Sequence, residues 1–502
     1  MYGCTLRLCS LALLWCGLVC PGCMTPHERL TFRAKPLRAD SAARWFDANG
    51  NGTPDFALQL DESGRLRSLA YDDNEDGEPD RVYPYDRANH ARPHLIVMLD
   101  SIPYQAVRQR FDASEWPWFD APAKVIPPFP TMSGLIFTAI THAPPLPGMI
   151  NRYYDRARGK TDNRSISRAL GEENPWHERL DYRAKYWQNG LAFLQPRQWY
   201  SAELVRLKKA FDEAPDRTCL VYVASTSGML SRFGRDGLDE SLDGVTQLCL
   251  QLLYERHGDL DISVLADHGH NLTPGTRVEL EPTLRDAGFN PASCLKKPDD
   301  VVLENDGMVN YIGLHTSDPA AVAAAVVRRP EIELAMYLWQ DRVIVHDALG
   351  SAAIDQRDGR LRYAPIDRDV LNYQGVIDQL AGVGKVDADG FVAVDDWFAA
   401  TLDHEYPNAP PRLWSAFHEL VANTPDVMLT LRAGSCTGMG FLEWFISMQS
   451  THGGLNQTDS ATFVMTTTGR ATKALRSGDV LETIEPGLIE TIDHRAAVGA
   501  AK

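Results

Sequence analysis

The segment 94-HLIVMLDS-101 decides how the chain is read. Leu95 to Leu99 is an uninterrupted apolar run of strand length, the pattern of a strand buried on both faces of a parallel sheet. It ends on a carboxylate, Asp100. Ligand crevices in open α/β sheets lie off the carboxyl ends of the strands, so an acid there reads as a site residue before it reads as surface charge. Further on, 129-FPTMSG-134 offers a hydroxyl, Thr131, between a rigid Pro130 and a flexible Ser133-Gly134 exit. That setting suits a nucleophile held at a turn.

Outward from this segment the pattern stays α/β. Cys219 to Ala224 is a second buried-strand run, leading through Ser225 to Gly237 into a helix. Leu242, Val245, Cys249 and Leu252 form that helix's apolar face, and Gly258 is its stop. A third run, Ile262 to Ala266, ends on 267-DHGH-270, where an adjacent Asp and His can reach one metal only at a turn. Residues 290 to 400 mix short strands with Gly- and Asp-rich turns and read as an insertion or cap beside the main sheet. Ser450-Thr451-His452-Gly453-Gly454 precedes the apolar stretch Ala461 to Met465. Residues 481 to 502 read as a C-terminal tail, disordered over its last dozen residues.

Residues 1 to 23 read as an export signal: Arg7 supplies the positive charge, Leu8 to Val19 is apolar, and Pro21-Gly22 breaks the run. Cys23 after Gly22 is a candidate lipid attachment point, so the expected location is periplasmic, cell-envelope or extracellular, with or without a membrane anchor. Between 24 and 93 the chain is acidic and turn-rich and carries a repeat. Asp47-x-Asn49-x-Asn51-Gly52-x-x-Asp55 recurs as Asp72-x-Asn74-x-Asp76-Gly77-x-x-Asp80. Oxygen side chains at alternate positions before a sharp Gly turn are the front half of a calcium loop, although the bidentate Glu of a full EF-hand is missing. These loops predict a small calcium-binding module.

A formal net charge of −17 over 502 residues, with no basic cluster, argues against a nucleic-acid polymer as partner. Small anionic substrates stay compatible if cations line the site. Of nine cysteines, Cys219, Cys249, Cys294 and Cys436 lie beyond the signal, either as up to two disulfides or as buried thiols.

Asp100, Thr131, Asp267 and His268 form a coherent set of two carboxylates, one imidazole and a hydroxyl, all at predicted strand ends. A divalent cation held by them would acidify the hydroxyl and steady the charge on a phosphoryl group under in-line attack. Taken in order, LIVMLDS, FPTMSG, YVASTSGMLSRFG, LADHGHN and STHGGL make residues 91 to 470 resemble the alkaline phosphatase superfamily, in its nucleotide pyrophosphatase/phosphodiesterase-like branch. The resemblance implies a three-layer α/β/α sandwich with a mostly parallel sheet over 94 to 480, and two zinc-type ions flanking a Ser or Thr nucleophile. It implies Asp100, Thr131, Asp267 and His268 as ligands of one ion, with Thr131 as nucleophile, and His452 as a ligand of the other. The chain departs from the pattern where the second ion's Asp and His are expected, because Ser227 and Ser231 stand there, and neutral hydroxyls are poor zinc ligands. Two functions follow. The first is an exported, metal-dependent phosphoric ester hydrolase of phosphodiesterase type, acting on a small phosphorylated substrate through a phospho-Thr131 intermediate. The alternative is a non-catalytic, metal-stabilised binding scaffold of the same fold.

Overall fold

The computed structural model describes residues 29–164, 172–185, 193–214, 217–305, 307–438 and 447–500. The signal and lipid-attachment readings at residues 1 to 23 therefore lie outside the described residues. The chain folds as a mixed α/β protein with three principal sheets. His94–Leu99 is a strand buried along its whole length, flanked in parallel by Cys219–Val223 on one side and Asp261–Ala266 on the other. Thr462–Thr466 continues this sheet antiparallel to Asp261–Ala266, and Ala123–Ile126 and then Leu475–Arg476 complete six strands.

Alternation along these strands sorts their side chains onto two faces. Leu95, Val97 and Leu99 pack with Leu204, Leu207, Leu242, Val245 and Leu252 from the helices Pro196–Asp212 and Ser225–Glu255. Ile96 and Met98 face the other way, onto Ile136, Phe137 and Ile140 of the helix Ser133–Thr141 and onto Leu481 and Ile484 near the C-terminus. Helices thus cover both faces of the six-stranded sheet, giving the α/β/α layering.

Outside that sheet parallel pairing is limited to two-residue stretches. Asn290 to Ala393 build most of a nine-stranded, almost entirely antiparallel sheet, and its fourth strand, Val427–Leu431, comes from beyond the expected cap. Two other readings are corrected, and of the two alternatives for the cysteines the structure shows free thiols. The long helix begins at Ser225, not after Gly237, and runs to Glu255 with a break at Gly234, where φ is +56°. The C-terminal segment is not a disordered tail: Val480–Ile484 and Leu488–Ala500 are helical, and Leu488, Ile489 and Ile492 are buried against the sheet. Cys219 and Cys249 are buried free thiols, their pKa pushed up to about 12 by burial, rather than disulfide partners.

The N-terminal segment forms its own five-stranded antiparallel meander between Arg38 and Pro84. Its inner face, including Phe46, Phe56, Leu58, Leu69 and Tyr71, joins the same apolar cluster as the long helix. Gly258, just past that helix, has φ +77°, and a Cβ there would stand 2.6 Å from Leu69 Cδ1, so helix and meander close on a position that needs glycine. Among the described residues no helix is long and apolar enough to cross a membrane.

Candidate metal centre

Strand register brings the carboxylates together. Leu99 pairs with Ala266, so the next residues, Asp100 and Asp267, leave the sheet side by side from the carboxyl ends of adjacent strands. Asp100, Asp267 and His268 are buried, and their ligand atoms all lie within 4.8 Å of one another.

The surroundings hold each group in place. Ser101 adopts φ +69°, an uncommon conformation for a residue with a side chain, which the fold must enforce. That turn aims the Ser101 N–H at Asp267 Oδ1 (2.9 Å), while its hydroxyl donates to Asp100 Oδ1 (2.6 Å). Tyr222, on the neighbouring strand, donates its phenol to Asp100 Oδ2 at 2.5 Å. The Thr226 hydroxyl accepts the Asp100 N–H (2.9 Å), and it sits at the start of the long helix, whose first turn thereby fixes the strand end. His268 donates Nδ1–H to the Gly269 carbonyl (2.8 Å), which puts the lone pair on Nε2, 3.3 Å from Asp267 Oδ2.

Electrostatics fit a cation. Burial, with the Asp100 charge next in effect, holds the Asp267 carboxyl well above the usual carboxylate range, and Asp267 Oδ2 is buried without a hydrogen-bond partner. Burial pushes the His268 imidazole below its ordinary value, which keeps it in the neutral form that a metal requires. Two buried carboxylates, one with an orphaned oxygen, beside an imidazole are a donor set suited to a metal ion.

Of the two hydroxyls in FPTMSG, the structure brings the other one to this cluster. Thr131 is fully buried and turned away; its hydroxyl accepts the Gly453 N–H (2.9 Å) and donates to the Gly454 carbonyl (3.3 Å). Ser133, the first residue of its helix, lies with Oγ 3.4 Å from Asp100 Oδ2 and 3.3 Å from His268 Nε2. The structure thus brings Ser133, and not the expected Thr131, against Asp100 and His268. The physical reason is the helix start: residue 133 opens the helix and faces the crevice, whereas residue 131 belongs to the extended approach and braces the loop opposite.

That loop carries His452. Its Nδ1–H donates to the Thr131 carbonyl (2.9 Å), and its ring stacks on His268 with centroids 4.0 Å apart. Burial, and then the neighbouring His268, hold the half-buried His452 imidazole far below its ordinary value. Ser227 and Ser231 lie on one face of the long helix, both buried; Ser227 Oγ is 3.5 Å from Ser101 Oγ. Sequence reasoning gave no role to Ser101 or Tyr222. Tyr222 had a usable signal, a polar side chain near the end of the strand beside Asp100; the positive φ of Ser101 had none.

The loops expected to bind calcium lie far from this centre in the chain, on the meander. Asp47 accepts N–H groups from Gly50, Asn51 and Gly52 at 2.6, 3.0 and 2.9 Å, and Asp55 those of Ala48 and Asn49. The second loop repeats the arrangement: Asp72 accepts from Asp76 and Gly77, and Asp80 from Asp73 and Asn74. Glu75 of the second loop accepts from the Asn49 and Asn51 side-chain amides of the first, tying the loops together.

No family model matches the chain, and no curated protein matches it. Among solved structures it is similar to crystal structures of phosphonoacetate hydrolase from Sinorhizobium meliloti 1021. The complex with phosphonoacetate is 11% identical, with a TM-score of 0.39, and the match covers 82% of this chain and 97% of that one. The complex with phosphonoformate is 12% identical, with a TM-score of 0.40 and the same coverage. A likeness of this extent carries no weight for fold or chemistry, which rest here on the sheet and on the centre itself.

Proposed function

We propose that the protein is a metal-dependent hydrolase of small phosphoric esters, of phosphodiesterase type, with Ser133 as nucleophile. The observation that carries this reading is one hydroxyl, at the first residue of a helix, touching both a buried carboxylate and a neutral imidazole of a metal-ready triad. A divalent ion held by Asp100, Asp267 and His268 would supply Lewis acidity, lowering the hydroxyl's pKa and offsetting phosphoryl charge. Ser133 donates its proton towards Asp100 Oδ2, which Tyr222 and Ser101 already orient, and its oxygen attacks phosphorus as the ester oxygen departs in line. The phosphoserine so formed is then hydrolysed by water. The helix N-terminus behind Ser133 presents N–H groups to the same anionic centre. His452 lines the opposite wall, and Thr131 braces its loop.

Two further assignments belong to the same reading. The chain is exported through residues 1 to 23, with lipid attachment at Cys23 as the route to a membrane anchor. The loops of the meander take calcium: burial, with the nearby Asp47 charge contributing, raises the Asp55 carboxyl above its ordinary value, a repulsion that a cation would relieve.

Purified protein is assayed against nitrophenyl phosphate mono- and diesters with zinc, manganese or calcium. Turnover is expected with a transition metal. Ser133→Ala should remove it, by about 10³-fold or more as for loss of a nucleophile, whereas Thr131→Val should reduce it less, through the His452 loop. Equal loss in both variants would overturn the assignment of Ser133. No turnover with any ion would favour the metal-stabilised scaffold, which Ser227 and Ser231 support by lacking charge.

A further inference from the structure

We propose that the cleft between the N-terminal meander and the helices of the main sheet binds a small amphipathic monoanion, a carboxylate carried on an apolar ring or chain. None of its lining residues belongs to the metal centre, so the inference does not depend on the hydrolase reading.

The cleft has a volume of about 590 Å³. That is the size of a small-molecule site, and such sites favour seams between structural units. The strand Ala43–Phe46, with the approach to it at Lys35, forms one wall. The helix Tyr104–Asp112 forms the second and the long helix Ser225–Glu255 the third. Phe46, Trp118 and Leu250, all buried, give it an apolar floor.

Its charges are unevenly paired. Lys35, Arg44, Arg110 and Arg235 line the cleft with Glu115, Asp239 and Asp243, so four cations meet three acids. All three acids face Arg110, whose Nη1 lies 2.6 Å from Asp243 Oδ1 and 3.4 Å from Glu115 Oε2, and whose Nη2 lies 3.4 Å from Asp239 Oδ1. Arg44 has no carboxylate partner among the described residues. Its guanidinium donates instead to the backbone carbonyls of Glu115 (2.9 Å) and Ser114, just past the end of the second wall's helix. Those carbonyls hold the planar fork in place without neutralising it. Burial lowers the Arg44 pKa despite the nearby Glu115 charge, as expected of a cation short of compensation. Lys35 and Arg235 are exposed, and among the described residues their side chains make no hydrogen bond or ion pair.

This imbalance sets the ligand. Four cations less three acids leave one positive charge, within a chain whose net charge is −17. A monoanion brings the cleft to neutrality, a dianion overshoots, and a cation would add to the charge on Arg44. An arginine fork held in one orientation matches a carboxylate through parallel N–H groups. The apolar floor requires an apolar body behind that head. Both helices of the cleft begin at the metal centre: Tyr104 follows Asp100 by four positions, and Thr226 accepts the Asp100 N–H. A ligand in the cleft would therefore tie the meander to both.

The test titrates the full chain calorimetrically with naphthoate and with octanoate, the head group on a ring and on a chain. Naphthalenemethanol and naphthylmethylamine serve as the neutral and cationic counterparts. About one carboxylate should bind per chain, and the melting temperature should rise with its concentration. The tighter of the two identifies the body as ring or chain. The alcohol and the amine should bind at least about tenfold more weakly. Arg44→Gln should weaken carboxylate binding by about tenfold. Ala113→Phe, which fills the cleft from an exposed position without changing its charge, should weaken it as much. Unchanged melting without ligand would show that both variants are folded. If Arg44→Gln fails to fold for want of its carbonyl contacts, Arg235→Gln supplies the charge test, with binding weakened several-fold. No saturable binding of either carboxylate, an alcohol that binds as tightly as naphthoate, or full-strength binding by a folded variant overturns the site.

Discussion

The metal centre and the meander loops are both clusters of acidic side chains legible in the sequence, yet they are built in opposite ways. In the loops, the carboxylates of Asp47, Asp55, Asp72 and Asp80 are turned onto their own backbone N–H groups, so each loop is held without any ion. In the centre, Asp267 Oδ2 and His270 Nε2 are buried with nothing to bond to. On the proposed reading a cation would be an addition to the first arrangement and an integral part of the second. Removing an ion from a self-satisfied loop exposes little; removing it from a buried carboxylate pair leaves charge in a poor dielectric.

The difference can be broken first at Asp267. In metal-free protein Asp267 can ionise only at a cost, buried and beside Asp100, so Asp267→Asn should raise the melting temperature of the chelated chain. In the wild type, zinc or manganese at a thousandfold excess over the dissociation constant should add about 4 kcal/mol. In Asp267→Asn most of that gain should vanish. Thermal melts of both proteins, chelated and loaded, measure the four values. A variant that gains as much from metal as the wild type would remove Asp267 from the ligand set.

How much of this was readable follows from where each residue takes its orders. The strands around Asp100 and Asp267 were legible because burial on both faces leaves continuous apolar runs, and because acids at strand ends are local features. The choice between Thr131 and Ser133 was not, since it depends on which residue opens the helix, and Met132 lies between them with no capping side chain. The interior place of Val427–Leu431 in the nine-stranded sheet was hidden because its neighbours, Tyr311–Thr316 and Ile332–Trp339, are distant in sequence. The C-terminal helix was missed because Leu488, Ile489 and Ile492 are few and the sheet face that receives them cannot be seen from the segment itself.

A second contrast concerns a buried acid that is fully bonded yet holds no ion. Glu203, 0% exposed, accepts N–H groups from Ala224 and Ser225 and the Ser225 hydroxyl, and so caps the helix whose Thr226 steadies Asp100. Burial nevertheless pushes its pKa up from 4.5 to about 7. The folded chain therefore holds this proton at higher pH than the unfolded chain does. The resulting stabilisation is complete below pH 4.5 and is lost as pH rises through about 7. Denaturant unfolding at the two ends of that window should show wild-type stability falling with pH, by up to about 3 kcal/mol from this group. Glu203→Gln carries no such proton and should have a flatter profile. Identical slopes in the two proteins would mean that the helix cap does not titrate in this range.

The smallest effect belongs to the loops, and the choice of substitution decides whether it can be read. Asp47→Ala would strand the Gly50 and Gly52 N–H groups and destabilise the meander with or without calcium, so it cannot separate the two causes. Asp47→Asn with Asp72→Asn keeps an acceptor oxygen for the turn while removing a charge from each loop. Calcium sites of extracellular modules bind with dissociation constants of about 10⁻⁴ to 10⁻³ M. At a tenfold excess over that constant each occupied loop should add about 1.4 kcal/mol to the wild type. Melts of the wild type should shift upward with calcium and return with chelator, and the doubly substituted chain should melt at one temperature in both. Because the loops are already held by their own hydrogen bonds, calcium should act as an increment to a folded meander and not as a condition for it. Loss of the meander's far-ultraviolet signal on chelation, at a temperature where the rest of the chain is intact, would break that distinction, and the loops would then depend on their ion as the buried centre does.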